Sequence, residues 1–124
     1  MKPFKILIID DEEVICNACH LILSERGHTV ESKMDGAAGL KALQSNRYDI
    51  VLLDMMLPDM EGMEILKTIK QKTPQAGVIV ITGYSTVANA LKAMKLGAAD
   101  YLSKPFSEDE LLASIDKVCS DLKP

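Results

Sequence analysis

Apolar residues fall along this chain in two rhythms. Three short continuous runs, Ile6-Leu7-Ile8-Ile9, Ile50-Val51-Leu52-Leu53 and Val78-Ile79-Val80-Ile81, lie between polar or turn-forming residues. Runs of this length without alternation suit strands covered on both faces. Two weaker runs, around Thr29-Val30-Glu31 and Tyr101-Leu102, complete a set of five. The stretches between them carry helical spacing. Val14, Ala18, Leu21, Ile22 and Glu25 form one such pattern, with Gly27 placed to stop it. Asp35 can cap a second, carrying Ala38, Ala42 and Leu43. A third holds Ile65, Leu66 and Ile69 and ends before Pro74. A fourth holds Val87, Ala90, Leu91 and Met94, read as mainly core-facing, and ends at Gly97. The fifth opens with the capping box Ser107-Glu108-Asp109-Glu110 and continues through Leu111, Leu112, Ile115, Val118 and Leu122.

No linker, repeat or low-complexity segment interrupts the alternation, so residues 1–124 read as one domain. Five βα units in series, joined by right-handed crossovers, give a parallel sheet with helices on both faces. In such an α/β fold the ligand site lies beyond the carboxyl ends of the strands.

Composition narrows the classes. Acidic residues outnumber basic ones, 18 to 14, for a net charge of −4, which argues against general nucleic-acid binding. Three cysteines make no disulfide framework. The N-terminal apolar run is too short for a signal-peptide core, and the uncharged stretch 73–91 contains Pro74, Gly77 and Gly83, so no membrane span is expected. The expected address is cytoplasmic.

The strand ends carry the chemistry. The first run ends in Asp10-Asp11, the third in Asp54, the fourth in Thr82 and the fifth in Ser103-Lys104-Pro105. Three carboxylates, a hydroxyl and an ammonium thus converge on one edge. Clustered carboxylates repel unless a cation sits among them. Oxygen donors without His or Cys suit a hard cation, and Mg²⁺ favours one or two carboxylates together with phosphate oxygens. A Lys and a Thr hydroxyl beside it suit an anion. The edge therefore reads as a site for Mg²⁺ and a phosphoryl group.

Asp10-Asp11, Asp54, Thr82 and Lys104-Pro105, in that order on five βα units, resemble the receiver domain of bacterial two-component response regulators. The likeness runs from Ile6 to about Val118. The segment from Thr82-Gly83-Tyr84 to Lys104-Pro105-Phe106 is most similar to receivers of NtrC-like activators. The resemblance implies a CheY-like (flavodoxin-like) sheet in order 2-1-3-4-5. It implies Asp54 as phosphoacceptor, and a sensor histidine kinase or phosphotransfer protein as donor. Mg²⁺ would be held by Asp11 and Asp54 directly, by Asp10 through water and by the backbone carbonyl of Met56. Thr82 and Lys104 would grip phosphoryl oxygens, and Lys104-Pro105 would be a cis peptide. Tyr101 would be the switch aromatic, and the fourth helix, fifth strand and fifth helix the output face. The resemblance leaves room for a phosphorylation-dependent homodimer and for an output domain beyond Pro124. It implies a signalling domain that catalyses only its own phosphorylation and dephosphorylation. It also places Met56 and Tyr84 beside the path of hydrolytic water, which implies an aspartyl phosphate that lasts minutes or more.

Other readings are weaker. Asp10-Asp11 alone could be a turn and helix cap. A phosphatase of the haloacid-dehalogenase type needs a second Asp two positions after its nucleophile, where this chain has Met56 or Glu12. A dinucleotide-binding module needs a glycine-rich first turn, and Asp10-Asp11-Glu12-Glu13 is acidic. A pseudo-receiver usually lacks one of the acids, the Thr or the Lys. Cys16-Asn17-Ala18-Cys19-His20 matches a haem-attachment pattern but lies inside a helix and reads as core thiols, while His20 and His28 read as surface or boundary residues. Met55, Met56, Met60 and Met63 read as core filler and loop.

Overall fold

A computed structural model describes residues 3–83 and 86–122. Its elements alternate: β1 (Lys5–Ile9), α1 (Glu13–Glu25), β2 (Thr29–Lys33), α2 (Gly36–Ser45), β3 (Ile50–Asp54), α3 (Gly62–Lys72), β4 (Gly77–Thr82), α4 (Val87–Lys95), β5 (Asp100–Ser103) and α5 (Glu108–Leu122). All four strand pairings are parallel, in the order β2-β1-β3-β4-β5.

The continuous apolar runs are the inner strands, as expected for a doubly wound sheet. Alternate residues of each strand feed opposite layers. Ile6, Ile8, Ile50, Leu52, Ile79 and Ile81 face α1 and α5. Leu7, Ile9, Val51, Leu53, Val78 and Val80 face α2, α3 and α4. Β-branched residues dominate because they fit a pleated surface covered on both sides.

Local signals set the ends of the helices. Gly27 and Gly97, with φ of +89° and +106°, terminate α1 and α4. Asp35 accepts a bond from the Ala38 N–H at 2.7 Å and caps α2. The Ser107–Glu110 capping box forms reciprocally, at 2.9 and 3.1 Å.

Two helix faces differ from the sequence reading. On α1 the buried residues are Cys16, Cys19 and Leu23, while Val14 and Leu21 stand 78% and 63% exposed. On α4 the stripe Val87, Leu91 and Met94 faces solvent, Ala90 is half-buried, and the buried residue is Ala93. Both helices are apolar on more than one side, so periodicity finds the helix without finding its inner face.

The β3–α3 connection is tied at several points. The Gly62 N–H donates to the Met55 carbonyl at 3.3 Å, and the Met55 N–H to the Ile81 carbonyl at 3.2 Å. A Cβ on Gly62 would stand 2.5 Å from the Met55 Cα, so only glycine lets the loop close. Asp59 reaches across to α2, accepting from the Gly36 and Ala37 N–H groups at 2.8 and 2.9 Å. Those two bonds, at a helix N-terminus, hold its carboxyl below the ordinary value.

Candidate functional site

The strands bring the expected groups to one edge. Asp10 follows β1, Asp54 and Thr82 end β3 and β4, and all three are buried. The peptide N–H of Lys104, just after β5, donates to the Thr82 carbonyl at 2.8 Å, which fixes the β4 and β5 ends together. The Lys104–Pro105 peptide is cis.

The Lys104 ammonium lies among carboxylates. Its Nζ is 2.9 Å from Asp10 Oδ2 and 3.4 Å from Asp54 Oδ2, and it also contacts Glu12 Oε1. Burial opposes its charge. The bonds to Glu12 and Asp10 and the charges of Asp10 and Asp54 outweigh that, and raise its pKa above the ordinary value. Asp54 moves the other way for a carboxylate. Burial, reinforced by the charge of Asp10, raises it to about 6 against the pull of the Met56 N–H and of Lys104. That N–H donates to Asp54 Oδ1 at 3.1 Å and orients the carboxylate. On Asp10, Oδ1 accepts from the Glu12 N–H at 2.8 Å, and the backbone carbonyl accepts from the Cys16 thiol at 3.3 Å.

Carboxylate oxygens of Asp10, Glu12 and Asp54 lie within 4.8 Å of one another. Such a donor set, with an ammonium already drawn into it, has the chemistry of a hard-cation site. Asp11 is exposed and lies outside this group. Glu12, which the sequence reading passed over as part of an acidic turn, lies inside it. Its signal was its position next to the acid pair, but its partner Lys104 is 92 residues away.

Beside the carboxylates, Met55, Met56, Gly62, Met63, Thr82, Asn89 and Tyr101 line a cavity of about 220 Å³. Tyr101 is half-buried at its wall, and the Met56 side chain is 56% exposed. Tyr84 falls outside the described residues.

The cysteine motif does not join the site as a thiolate centre. Cys16, Cys19 and Cys119 are buried in the layer under α1 and α5. Burial pushes the Cys19 thiol up to about 12. His20 is exposed, whereas His28 is buried and accepts the Phe4 N–H at 3.0 Å. Among the described residues no helix is long and apolar enough to cross a membrane.

Comparison with known proteins agrees with this fold. Residues 6–116 match the family model described as the response regulator receiver domain. The chain is 41% identical over 113 residues to the response regulator ArlR of Staphylococcus epidermidis, covering 91% of this chain and 51% of that protein. It is 36% identical to a putative response regulator, NtrX-like, of Rickettsia bellii, covering 99% of this chain and 26% of that protein. The likeness to NtrX fits the NtrC-like flavour of the segment from Thr82 to Phe106. Among solved structures it superimposes on a CheY-like receiver domain protein from Methanospirillum hungatei with a TM-score of 0.93, at 30% identity, covering 98% and 97% of the two chains. The chain spans about half the length of the curated relatives it matches first. The shared sequence over 6–116, the strand order and the arrangement at the strand ends have one reading: the chain belongs to the response regulator receiver domain family.

Proposed function

We propose that this domain accepts a phosphoryl group on Asp54 from a phosphohistidine of a sensor kinase or phosphotransfer protein. The observation that supports it most directly is the Lys104 ammonium held among buried carboxylates, with the Asp54 carboxylate oriented by the Met56 N–H.

In the transfer, an Asp54 oxygen forms a bond to phosphorus as the phosphorus–nitrogen bond to the donor imidazole breaks. The electron pair leaves with that nitrogen, which takes up a proton. No base is needed, because the nucleophile is an ionised carboxylate. Phosphoryl transfer depends mostly on positioning and on neutralising the oxygens in flight. Lys104 and Thr82 hold phosphoryl oxygens. Asp10, Asp11, Asp54 and the Met56 carbonyl would hold Mg²⁺. Bound there, Mg²⁺ supplies the positive charge that lets an anion approach an acidic site.

The response is carried by Thr82 and Tyr101. They share the cavity beside the carboxylates, and the exposed stripe of α4 lies next to it in the chain. The α4–β5–α5 face then engages an output domain, a partner or a second copy of the chain. Regulation of transcription through the rest of a longer protein fits its likeness to transcriptional regulatory proteins such as DltR; a cytoplasmic address goes with that reading.

The test is phosphorylation by acetyl phosphate or phosphoramidate, read by the mass increment of the intact protein. The parent gains one phosphoryl group with Mg²⁺ present, and none in excess EDTA or as Asp54→Asn. Undiminished labelling in either control overturns the assignment.

A further inference from the structure

We infer that Glu12 is a positioning residue for this reaction, one that holds the Lys104 ammonium in the unphosphorylated protein and competes with the incoming phosphoryl group for it. The inference rests on the phosphoacceptor reading of Asp54.

An ammonium has three N–H donors. At Lys104 two go to Glu12 and Asp54, and Asp10 Oδ2 adds an ion pair at 2.9 Å. A phosphoryl oxygen must therefore draw Lys104 away from carboxylates that already attract it, and it gains most where one of them gives way. Their surroundings decide which. Asp10 and Asp54 are buried, and each is tied by its second oxygen to a backbone N–H, of Glu12 and of Met56. Pulling Asp10 from the ammonium strands a charge in a dry place, and Asp54 is the group to which the phosphoryl itself is joined. The Glu12 side chain is 57% exposed, and at the N-cap of α1 it makes no capping bond. It exchanges the ammonium for water at little cost.

Glu12 is thus a removable guard. While it holds Lys104, the ammonium is shared between Glu12 and the buried pair Asp10 and Asp54. Its release completes the anion site. Because the pair is partly solvated, the competition is worth a factor of roughly two to five in affinity.

The alternative role for an exposed carboxylate here is plain attraction of Mg²⁺, which predicts that removing the charge weakens binding or leaves it unchanged. The probe is beryllofluoride, which stands in for the phosphoryl group, titrated at saturating Mg²⁺ into the whole chain and followed by ¹H–¹⁵N NMR. Glu12→Gln is expected to bind it roughly two- to five-fold more tightly than the parent. Glu12→Asp keeps the charge but shortens the arm, so it is expected to follow Glu12→Gln. Without Mg²⁺, the Lys104 side-chain ammonium protons should exchange with solvent faster in both variants. Binding of Glu12→Gln that is weaker than or equal to the parent's overturns the inference. So does parent-like behaviour of Glu12→Asp, or unaltered ammonium exchange. If the parent itself fails to bind beryllofluoride at any Mg²⁺ concentration, the phosphoacceptor reading falls first.

Discussion

Helices α4 and α5 both pack against the β5 side of the sheet, yet they are held differently. Α5 buries Leu111, Leu112, Ile115, Val118 and Cys119, and its Ser114 hydroxyl donates to Asp100 at 2.6 Å. Α4 is nine residues long, buries Ala93, and turns Val87, Leu91 and Met94 outward. The first is anchored by area removed from water and the second by little more than its backbone and one small side chain. A helix that must shift when the site fills is drawn from the weakly held parts of a fold. The contrast therefore assigns α5 to the frame and α4 to the moving part.

The largest expected effect tests the frame. Ile115→Ala should cost about 2–5 kcal/mol in urea unfolding, as a cavity in a packed layer does. A loss below about 1 kcal/mol would erase the distinction between the two helices.

The next effect lies at the site. Burial raises Asp54 to about 6, so the folded protein binds its proton more tightly than the unfolded chain does. That contribution to stability is complete below pH about 4 and is lost as pH rises through about 6. At neutral pH without Mg²⁺, Asp54→Asn should therefore be more stable than the parent by about 1–3 kcal/mol, with the gap closing toward pH 4. A gap that widens on acidification would contradict the assignment.

Smaller effects probe the exposed groups. Met56 stands open beside Asp54, where a polar side chain could orient hydrolytic water. Met56→Asn should shorten the life of the aspartyl phosphate several-fold from a parent value on the order of minutes, measured by its decay at neutral pH with Mg²⁺. The smallest change is expected at Leu91. Its replacement by Gln should leave stability within about 0.5 kcal/mol, as surface substitutions usually do, while weakening any phosphorylation-dependent self-association seen by sedimentation. A large loss of stability would return α4 to the frame.

The same contrast marks what the sequence could reveal. The inner strands were legible because Ile6 to Ile9, Ile50 to Leu53 and Val78 to Ile81 are unbroken and buried on both sides. The strand-end rule then brought Asp10, Asp54, Thr82 and Lys104 together without coordinates. The inner faces of α1 and α4 were not legible. Val14 and Leu21 are as apolar as the buried Cys16 and Leu23, and hydropathy cannot separate a face made for the core from one left outside. Glu12 stayed hidden for a different reason. Its neighbours in the chain suggest a turn, and its meaning comes from an ammonium that arrives from the far end of the sheet. Asp59 likewise reads as a turn residue until its two bonds to the α2 N-terminus are seen.

That clasp bears on how such domains can be recombined. The segment from Met55 to Gly62 carries Met56, whose N–H holds the Asp54 carboxylate, and it invites transplantation between relatives as a cassette. Yet its conformation is shared property. Gly62 is required by the Met55 backbone, Asp59 needs the open N–H groups of Gly36 and Ala37, and a Cβ on Gly36 would press on Met60 and Ile65 at 2.9 and 2.8 Å. A chimera that swaps the loop and leaves a bulky residue at position 36 separates parts that fit only together. The inheritable unit is the loop with the first turn of α2, two pieces that lie more than twenty residues apart in the chain and behave as one allele.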